Sequence, residues 1–443
     1  MLLGSIVPVY AETPQKAPKI EAKSAIVMDA TTGQILYNKS MDAQKYPASL
    51  TKLMTVLLTL ENCDLNEKVT FSKEAVYGIE PGSSNIGILP GEVLTVEQCL
   101  YGMMLESANE VCSAIAEHIS GSVDEFAKKM TQRATELGCK NTQFKNANGL
   151  HNDEHYTTAY DMALILKELL KYPEFRTVAS SRNYKLKKTN KQKARWLGNH
   201  HKMIRYPTGS IYSLPSSLTA TSGKTAFTTK AKTCLATSAT NQEMELICIV
   251  MEDSGVDVYW DTKALFEYIF DHYEYIQPLK NYVTTPTKSS NLLIHNLFTL
   301  VDPKTLDLHI DKDCIVTVPK NYDQTKLTTS VTYDLNTATH TVGTLHISYN
   351  NSEVGTTPIF FSSFTAPPVQ KVEAYKDFNW NHFNIKNFHF YMLSTQERIF
   401  LFSTSAIAIF LFFFFLRLYV NIRKKRKAIS LRYQRSRKQK RRR

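Results

Sequence analysis

Apolar and polar positions divide the chain into strands at its start, helices in its middle and strands again towards its end. Residues 24–29 and 34–37 alternate in polarity around a Thr31-Thr32-Gly33 turn, which predicts two strands joined by a tight turn. The same criteria predict helices at 50–62, 96–120, 122–137, 158–171 and 259–272, and strands at 218–224, 232–240 and 244–251. This order predicts an α/β (α+β) domain over residues 24–272 with an antiparallel sheet.

A second, smaller domain is predicted from a change in composition near residue 275. Thr, Val, Ile and Asn dominate from there on. Short alternating patterns predict strands at 292–299, 306–309, 314–318, 327–334, 341–349 and 356–361. We therefore expect a small all-β domain over residues 275–370, and it contains no evident catalytic cluster.

The C-terminal part has the pattern of a membrane anchor. Residues 399–416 carry no charge and are rich in Phe, Leu and Ile, which predicts a transmembrane helix over 399–420. A buried helix of a soluble domain is the alternative. Aromatic residues among polar ones at 371–398 predict either a juxtamembrane amphipathic segment or an element packed on the β-domain.

The net charge of +12 belongs to the C-terminal tail. Residues 421–443 contain 13 Lys and Arg and no acid, which leaves 40 basic against 41 acidic residues elsewhere. A basic run beside a transmembrane helix stays in the cytoplasm, so we expect a single-pass cell-membrane protein with its folded part extracellular and its tail cytoplasmic. The same placement argues against a nucleic-acid partner. Residues 1–11 are predicted to be a signal peptide, possibly truncated at its start.

Seven cysteines are scattered without C-x-x-C pairs, and their odd number leaves at least one unpaired. Cys99, Cys112, Cys234 and Cys248 lie in apolar runs, which predicts buried and unreactive thiols. The histidine pairs of the chain lack a convincing ligand set. We therefore expect neither a metal nor another cofactor.

The stretch from Pro47 to Thr55 places Ser49 and Lys52 on one face of a predicted helix. A serine hydroxyl becomes an effective nucleophile when a base lies within hydrogen-bond reach, and Lys52 can be that base. Pro47 fits a first helical turn, so backbone N–H groups near Ser49 would favour a developing negative charge. One such pair is a weak signal, because it occurs by chance in many soluble helices.

Two further motifs follow in order, Ser107-Ala108-Asn109 and Lys224-Thr225-Ala226. With Ser49-x-x-Lys52 they resemble the three motifs of penicillin-binding proteins and β-lactamases. Further similar segments lie at 24–37, 148–151, 155–163 and 199–203. Over residues 24–272 the chain thus resembles the serine-type D-alanyl-D-alanine carboxypeptidases, the low-molecular-mass penicillin-binding proteins (peptidase S11-like). The resemblance implies a transpeptidase/β-lactamase-like fold and an appended β-domain.

The resemblance implies a catalytic role for three residues. Ser49 would be the nucleophile, a neutral Lys52 its base, and Ser107 the relay that passes the proton to the leaving amine. Burial and the nearby charge of Lys224 are both expected to lower the pKa of Lys52, which makes the neutral form available.

The remaining motif residues are expected to hold the substrate. Asn109 would bind the substrate amide, while Lys224 and Thr225, on an edge strand, would bind the terminal carboxylate. The backbone N–H groups of Ser49 and Phe227 would form the oxyanion hole.

Two positions depart from the family pattern. Ala226 stands where the third motif usually ends in Gly, and its methyl group is expected to crowd the cleft. Val258 precedes Tyr259-Trp260-Asp261, where the family often carries an Arg that binds the carboxylate. The candidates to replace that cation are Arg182, Arg195 and Arg205.

The leading interpretation is a membrane-anchored carboxypeptidase that removes the terminal D-Ala of peptidoglycan stem peptides and binds β-lactam antibiotics. A β-lactamase is the first alternative, but no Glu-x-x-Leu-Asn segment lies between Ser107 and Lys224. A catalytically degenerate cell-wall-binding protein is the second, and Ala226 supports it weakly.

Overall fold

The computed structural model describes residues 17–280, 308–336 and 339–361. Its strands are β1 (Ser24–Asp29), β2 (Ile35–Lys39), β3 (Lys68–Thr70), β4 (Val93–Thr95), β5 (Asn183–Leu186), β6 (Arg195–Gly198), β7 (Thr219–Thr228), β8 (Lys232–Thr240), β9 (Glu245–Asp253), β10 (Tyr273–Ile276), β11 (Leu308–Ile310), β12 (Val316–Pro319), β13 (Leu327–Asn336), β14 (Thr341–Tyr349) and β15 (Ser352–Phe361). Its helices are α1 (Thr51–Asn62), α2 (Lys73–Tyr77), α3 (Val96–Leu105), α4 (Asn109–Ser120), α5 (Val123–Glu136), α6 (Ala159–Leu169), α7 (Pro173–Ala179), α8 (Lys202–Arg205) and α9 (Asp257–His272).

A five-stranded antiparallel sheet in the order β2-β1-β9-β8-β7 lies at the centre. Successive side chains of a strand point to opposite faces. Ile26 and Met28 therefore contact the core formed with helices α1, α3, α4 and α6, while Ala25 and Val27 contact the core beneath α9. The predicted α/β fold with an antiparallel sheet is confirmed, and β7 is left as an edge strand.

The single helix predicted at 96–120 is wrong, because the structure has α3 and α4 there with a break between them. Ser107 lies in the break and has φ of 59°, in the left-handed region. A right-handed helix cannot continue through such a residue. The break therefore removes Ser107 from the pattern of helical hydrogen bonds.

Most other long elements follow the prediction, and the elements that the sequence analysis does not predict have three to seven residues. Such stretches hold at most two turns or periods, too few for a periodicity to be recognised. They are β3, β4, β5, β6, β10, α2, α7 and α8.

The C-terminal strands form a four-stranded antiparallel sheet in the order β11-β15-β14-β13, and β12 pairs with β10. Val316 and Val318 on β12 and Leu345 and Ile347 on β14 form half of the buried core of these strands. The strand predicted at 292–299 lies outside the described residues, and the boundaries 275–370 stay a prediction.

Strand β12 is attached to the first part of the chain through specific hydrogen bonds. Thr317 Oγ1 donates to Asp29 Oδ2 at 3.0 Å, and both residues are fully buried. Lys320 Nζ donates to the carbonyl oxygen of Phe270 at 2.9 Å. The β-sheet region thus contacts both the end of β1 and the end of α9.

All seven cysteines are free thiols. The four predicted to be buried are buried, and so is Cys139; Cys63 and Cys314 are partly exposed. Burial raises the pKa of the thiols of Cys99, Cys112 and Cys248. These groups therefore stay protonated and behave as small apolar side chains.

Across the described residues, no helix combines the length and the apolar character that crossing a membrane requires. The predicted signal peptide, juxtamembrane segment, transmembrane helix and basic tail lie outside the described residues.

Candidate active site

Ser49 lies in a 3₁₀ turn, Ala48–Leu50, that leads directly into α1. The turn is packed against the loop at Gly149, where φ is +86°. A Cβ added to Gly149 would lie 1.8 Å from the carbonyl oxygen of Ala48, so only glycine fits. This contact fixes the backbone from which Ser49 projects.

Lys52 is fully buried one turn after Ser49. Its Nζ donates to Ser49 Oγ at 2.9 Å, to Asn109 Oδ1 at 2.7 Å and to the carbonyl oxygen of Asn148 at 2.6 Å. These acceptors use all the donors of an ammonium group. Once Lys52 loses a proton, the two fixed acceptors Asn109 and Asn148 hold its remaining N–H groups, and its lone pair faces the Ser49 hydroxyl.

The two buried lysines of the site have lowered pKa values. Burial lowers the pKa of Lys52 to about 8, although Cys112 and Glu110 oppose this effect. Burial, followed by the charge of Lys52, lowers the pKa of Lys224 to about 7. Burial is therefore the main cause of both shifts, and repulsion between the two ammonium groups adds to it.

The second motif completes the cluster. Ser107 Oγ donates to Ser49 Oγ at 2.9 Å, so the hydroxyl of Ser49 contacts both Lys52 and a second serine. Asn109 begins α4, and its backbone N–H donates to the carbonyl oxygen of Ser84 at 2.9 Å. The sequence-predicted residues Ser49, Lys52, Ser107 and Asn109 thus form one hydrogen-bonded group.

Lys224, Thr225 and Phe227 lie on the edge strand β7, which also contacts the turn that carries Ser49. Lys224 is 1% exposed, and its Nζ donates to the carbonyl oxygen of Thr225 at 2.8 Å. The side chain of Phe227 is 67% exposed. Within the described residues, Thr225 and Phe227 make no hydrogen bond to the Ser49 cluster, so a substrate would have to connect them to it.

Two residues of the site escaped the sequence analysis. Asn148 contributes its backbone carbonyl, and because every residue has one, the residue type gives no signal. Its segment, 148–151, is one of those that resemble the family. Glu110 accepts the backbone N–H of Ile86 at 2.7 Å and is 1% exposed. Burial raises the pKa of Glu110, and Lys52 is the nearby cation that opposes the shift. The position of Glu110 directly after the motif residue Asn109 is the sequence signal that could have identified it.

The two departures from the family pattern are both buried in apolar cores. Ala226 is 5% exposed and packs in the core shared with the helices, and the crowding of the cleft by its methyl group stays a prediction. Val258 is fully buried in the core beneath α9. Both positions therefore hold small apolar side chains that pack in a core.

The three candidate replacement cations lie in different surroundings. Arg195 is paired with the buried Glu92 at 3.2 Å. Arg182 and Arg205 are exposed. A Cβ added to Gly198 would lie 3.5 Å from the guanidinium of Arg205, and the Gly198 N–H donates to Glu106, the residue before Ser107. Arg205 therefore lies near Glu106 and the active-site region, whereas Arg195 is held by Glu92.

Comparisons with known proteins place these motifs in a family. A family model described as Peptidase_S11, D-alanyl-D-alanine carboxypeptidase, matches residues 11–255. The D-alanyl-D-alanine carboxypeptidase DacF of Bacillus subtilis (strain 168) is 40% identical over 235 residues, which are 52% of this chain and 57% of DacF. DacA of Escherichia coli (strain K12) is 30% identical over 321 residues, 68% of this chain and 72% of DacA.

Solved structures show the same architecture. Penicillin binding protein 5 from Haemophilus influenzae aligns with a TM-score of 0.61 over 79% of this chain and 98% of that chain, at 23% identity, which shows the fold. The Streptomyces K15 DD-transpeptidase aligns with a TM-score of 0.53 over 58% of this chain and 100% of that chain, at 28% identity.

Proposed function

The chain belongs to the D-alanyl-D-alanine carboxypeptidase family, and we propose that it removes the terminal D-Ala of peptidoglycan stem peptides through an acyl-enzyme on Ser49. The observation that carries this proposal is the hydrogen bond of 2.9 Å between Lys52 Nζ and Ser49 Oγ. Lys52 is buried, and its pKa is lowered to about 8. A base of this pKa is partly neutral at physiological pH and can take the serine proton.

Acylation follows from this geometry. Neutral Lys52 accepts the proton of Ser49 Oγ as the oxygen attacks the carbonyl carbon between the two D-Ala residues. The backbone N–H groups of Ser49 and Phe227 stabilise the oxyanion. The C–N bond then breaks, and Ser107 passes the proton from Lys52 to the leaving amine.

Deacylation returns the enzyme to its starting state. A water molecule attacks the ester carbon while Lys52 takes its proton. The bond to Ser49 Oγ breaks, and the proton returns to that oxygen as the shortened peptide leaves. Every proton taken up by Lys52 is thus given back within one cycle.

Substrate binding uses the edge strand. An extended peptide can pair with β7, because an edge strand leaves backbone groups unpaired. Asn109 binds the substrate amide, and Lys224 with Thr225 binds the terminal carboxylate. Protonated Lys224 is needed for this contact, and the arriving carboxylate raises the pKa of Lys224 again.

The test is D-Ala release by the full-length chain from a peptide that ends in D-Ala-D-Ala. The matched control peptide ends in D-Ala-L-Ala, and the matched control variant is Ser113→Ala, a buried serine on α4 that donates to the carbonyl oxygen of Asn109. We expect release from the first peptide, with Ser49→Ala inactive. Covalent β-lactam binding without D-Ala release would favour the degenerate wall-binding alternative, and rapid β-lactam turnover without D-Ala release would favour the β-lactamase.

We also propose that the enzyme is exported and anchored by a C-terminal transmembrane helix over residues 399–420, with its active site outside the cell. The uncharged run and the 13 basic residues that follow it support this proposal. Protease added to wall-stripped cells should remove the folded part and spare an epitope placed after Arg443. Loss of the epitope with protection of the folded part would reverse the topology.

A further inference from the structure

Three side chains with metal-ligating atoms lie together at a surface away from the active site. They are Cys63 at the C-terminal end of α1, Glu67 just before β3, and His118 in the last turn of α4. The thiol sulfur, a carboxylate oxygen and an imidazole nitrogen all lie within 4.8 Å of one another. His118 Nε2 and Glu67 Oε1 are 2.8 Å apart. The sequence predicted no metal site, and this group is not evident from it.

The backbone fixes these ligands relative to each other. The N–H of Cys63 donates to the carbonyl oxygen of Thr59 at 3.0 Å, and the N–H of Glu67 donates to that of Asp64 at 3.0 Å. Glu67 Oε2 accepts the N–H of Asp64 at 3.2 Å. This leaves Oε1 directed at His118. The tight turn from Cys63 to Glu67 thus presents a thiol and a carboxylate oxygen to the same imidazole.

An exposed ion pair between His118 and Glu67 explains only part of the arrangement. Such a pair does not account for a third ligating atom, the thiol of Cys63, beside the carboxylate. Glu67 and a Cys63 thiolate would repel each other, and a divalent cation between them removes that repulsion.

We propose that Cys63, Glu67 and His118 bind a divalent transition-metal ion of the zinc class. A donor set of sulfur, nitrogen and oxygen suits a borderline-soft ion, whereas Ca²⁺ and Mg²⁺ prefer oxygen ligands alone. A thiolate, a carboxylate and a neutral imidazole balance the charge of the ion, and water fills the fourth position. The thiol proton passes to solvent when the metal binds.

The site is structural in this proposal. Ser49 and Cys63 lie at opposite ends of α1, so the ion is separated from the nucleophile by about 20 Å of helix. It joins the ends of α1 and α4 to the segment before β3. Metal binding should therefore raise the melting temperature and leave acylation of Ser49 unchanged, which separates this proposal from the proposed function.

The experiment is a titration of the full-length, reduced and chelator-treated chain with Co²⁺, followed by competition with Zn²⁺. We expect a sulfur-to-cobalt charge-transfer absorption band that Cys63→Ser removes and that Zn²⁺ displaces. His118→Gln, a change at a partly exposed position, should weaken binding more than about tenfold. The matched control is Cys314→Ser, which changes the other partly exposed thiol and should keep the band.

Circular dichroism of each apo variant separates lost binding from lost folding. No charge-transfer band in the parent chain would overturn the proposal, and so would a band that persists in Cys63→Ser or binding that is unchanged in His118→Gln. If Cys63→Ser does not fold, the charge-transfer band of the parent chain and the metal affinity of His118→Gln still test whether these residues bind a metal ion.

Discussion

The part of the chain that carries Ser49 and the C-terminal sheet bury different kinds of side chain. Around Ser49, Lys52 and Lys224 are at most 1% exposed; Lys52 donates to a hydroxyl and an amide group, and Lys224 donates to a backbone carbonyl. In the described part of the C-terminal strands β11 to β15, the buried polar side chains are Thr317 and Thr357, and the ion pair between His346 and Glu353 is partly exposed. Among the described residues, charged side chains are buried in the region of Ser49 and not in the C-terminal strands.

Burying a lysine is unfavourable, because the ammonium group loses its hydration. Lys52 and Lys224 respond with lowered pKa values rather than with carboxylate partners. A region selected only for stability has no need of such groups, and perturbed pKa values cluster where chemistry occurs. The contrast therefore identifies the first region as the reactive one and the sheet as an apolar scaffold.

The largest effect is expected from removing the base. Lys52→Arg keeps a cation but cannot be neutral near pH 7, so acylation by a β-lactam should fall by about 10²–10⁴-fold. Lys320→Arg makes the same chemical change beside the C-terminal sheet and should leave the rate unchanged. Stopped-flow measurements of the acylation rate test both variants. Equal rates for Lys52→Arg and the parent would show that Lys52 is not the base and that burial of a lysine does not mark the reactive region.

The pH dependence of acylation sharpens the comparison further. The neutral form of Lys52 is the reactive one, so the rate at saturating β-lactam should rise with pH through about 8 and level off above it. A group with the ordinary lysine pKa of 10.5 would place the rise more than two pH units higher. A flat profile between pH 6 and about 9 would remove Lys52 as the base.

A smaller effect, on stability alone, is expected at the contact between the two regions. Thr317→Val leaves the buried Asp29 Oδ2 without its hydroxyl donor, which should lower the free energy of unfolding by about 1–3 kcal/mol. Thr332→Val, where the exposed hydroxyl contacts His346, is the matched control and should cost less. Urea unfolding measures both. A large change in acylation rate in Thr317→Val would show that the sheet is no mere scaffold.

The smallest effect is expected at Ala226. Its methyl group packs in the core, so Ala226→Gly should lower the free energy of unfolding by about 0.5–1 kcal/mol and leave acylation nearly unchanged. Ala236→Gly, on the neighbouring strand and in the same core, is the control. A rise of acylation by about tenfold in Ala226→Gly alone would mean that the methyl crowds the cleft after all.

The sequence predicted the residues that cluster around Ser49 from the order of three motifs, and it predicted most of the sheet from the alternation of apolar and polar positions. It did not predict the break at Ser107, since the apolar periodicity runs on through a backbone that turns left-handed there. It could not find the carbonyl of Asn148, because every residue has one. The group of Cys63, Glu67 and His118 was missed for another reason: its members come together only through the packing of α4 against α1.

The most direct test of the account is to incubate the full-length chain with a labelled penicillin and to map the adduct by peptide mass spectrometry. The account predicts one penicilloyl group on Ser49, absent in Ser49→Ala and retained in Ser113→Ala. An adduct on another residue, or equal labelling of Ser49→Ala, would contradict it.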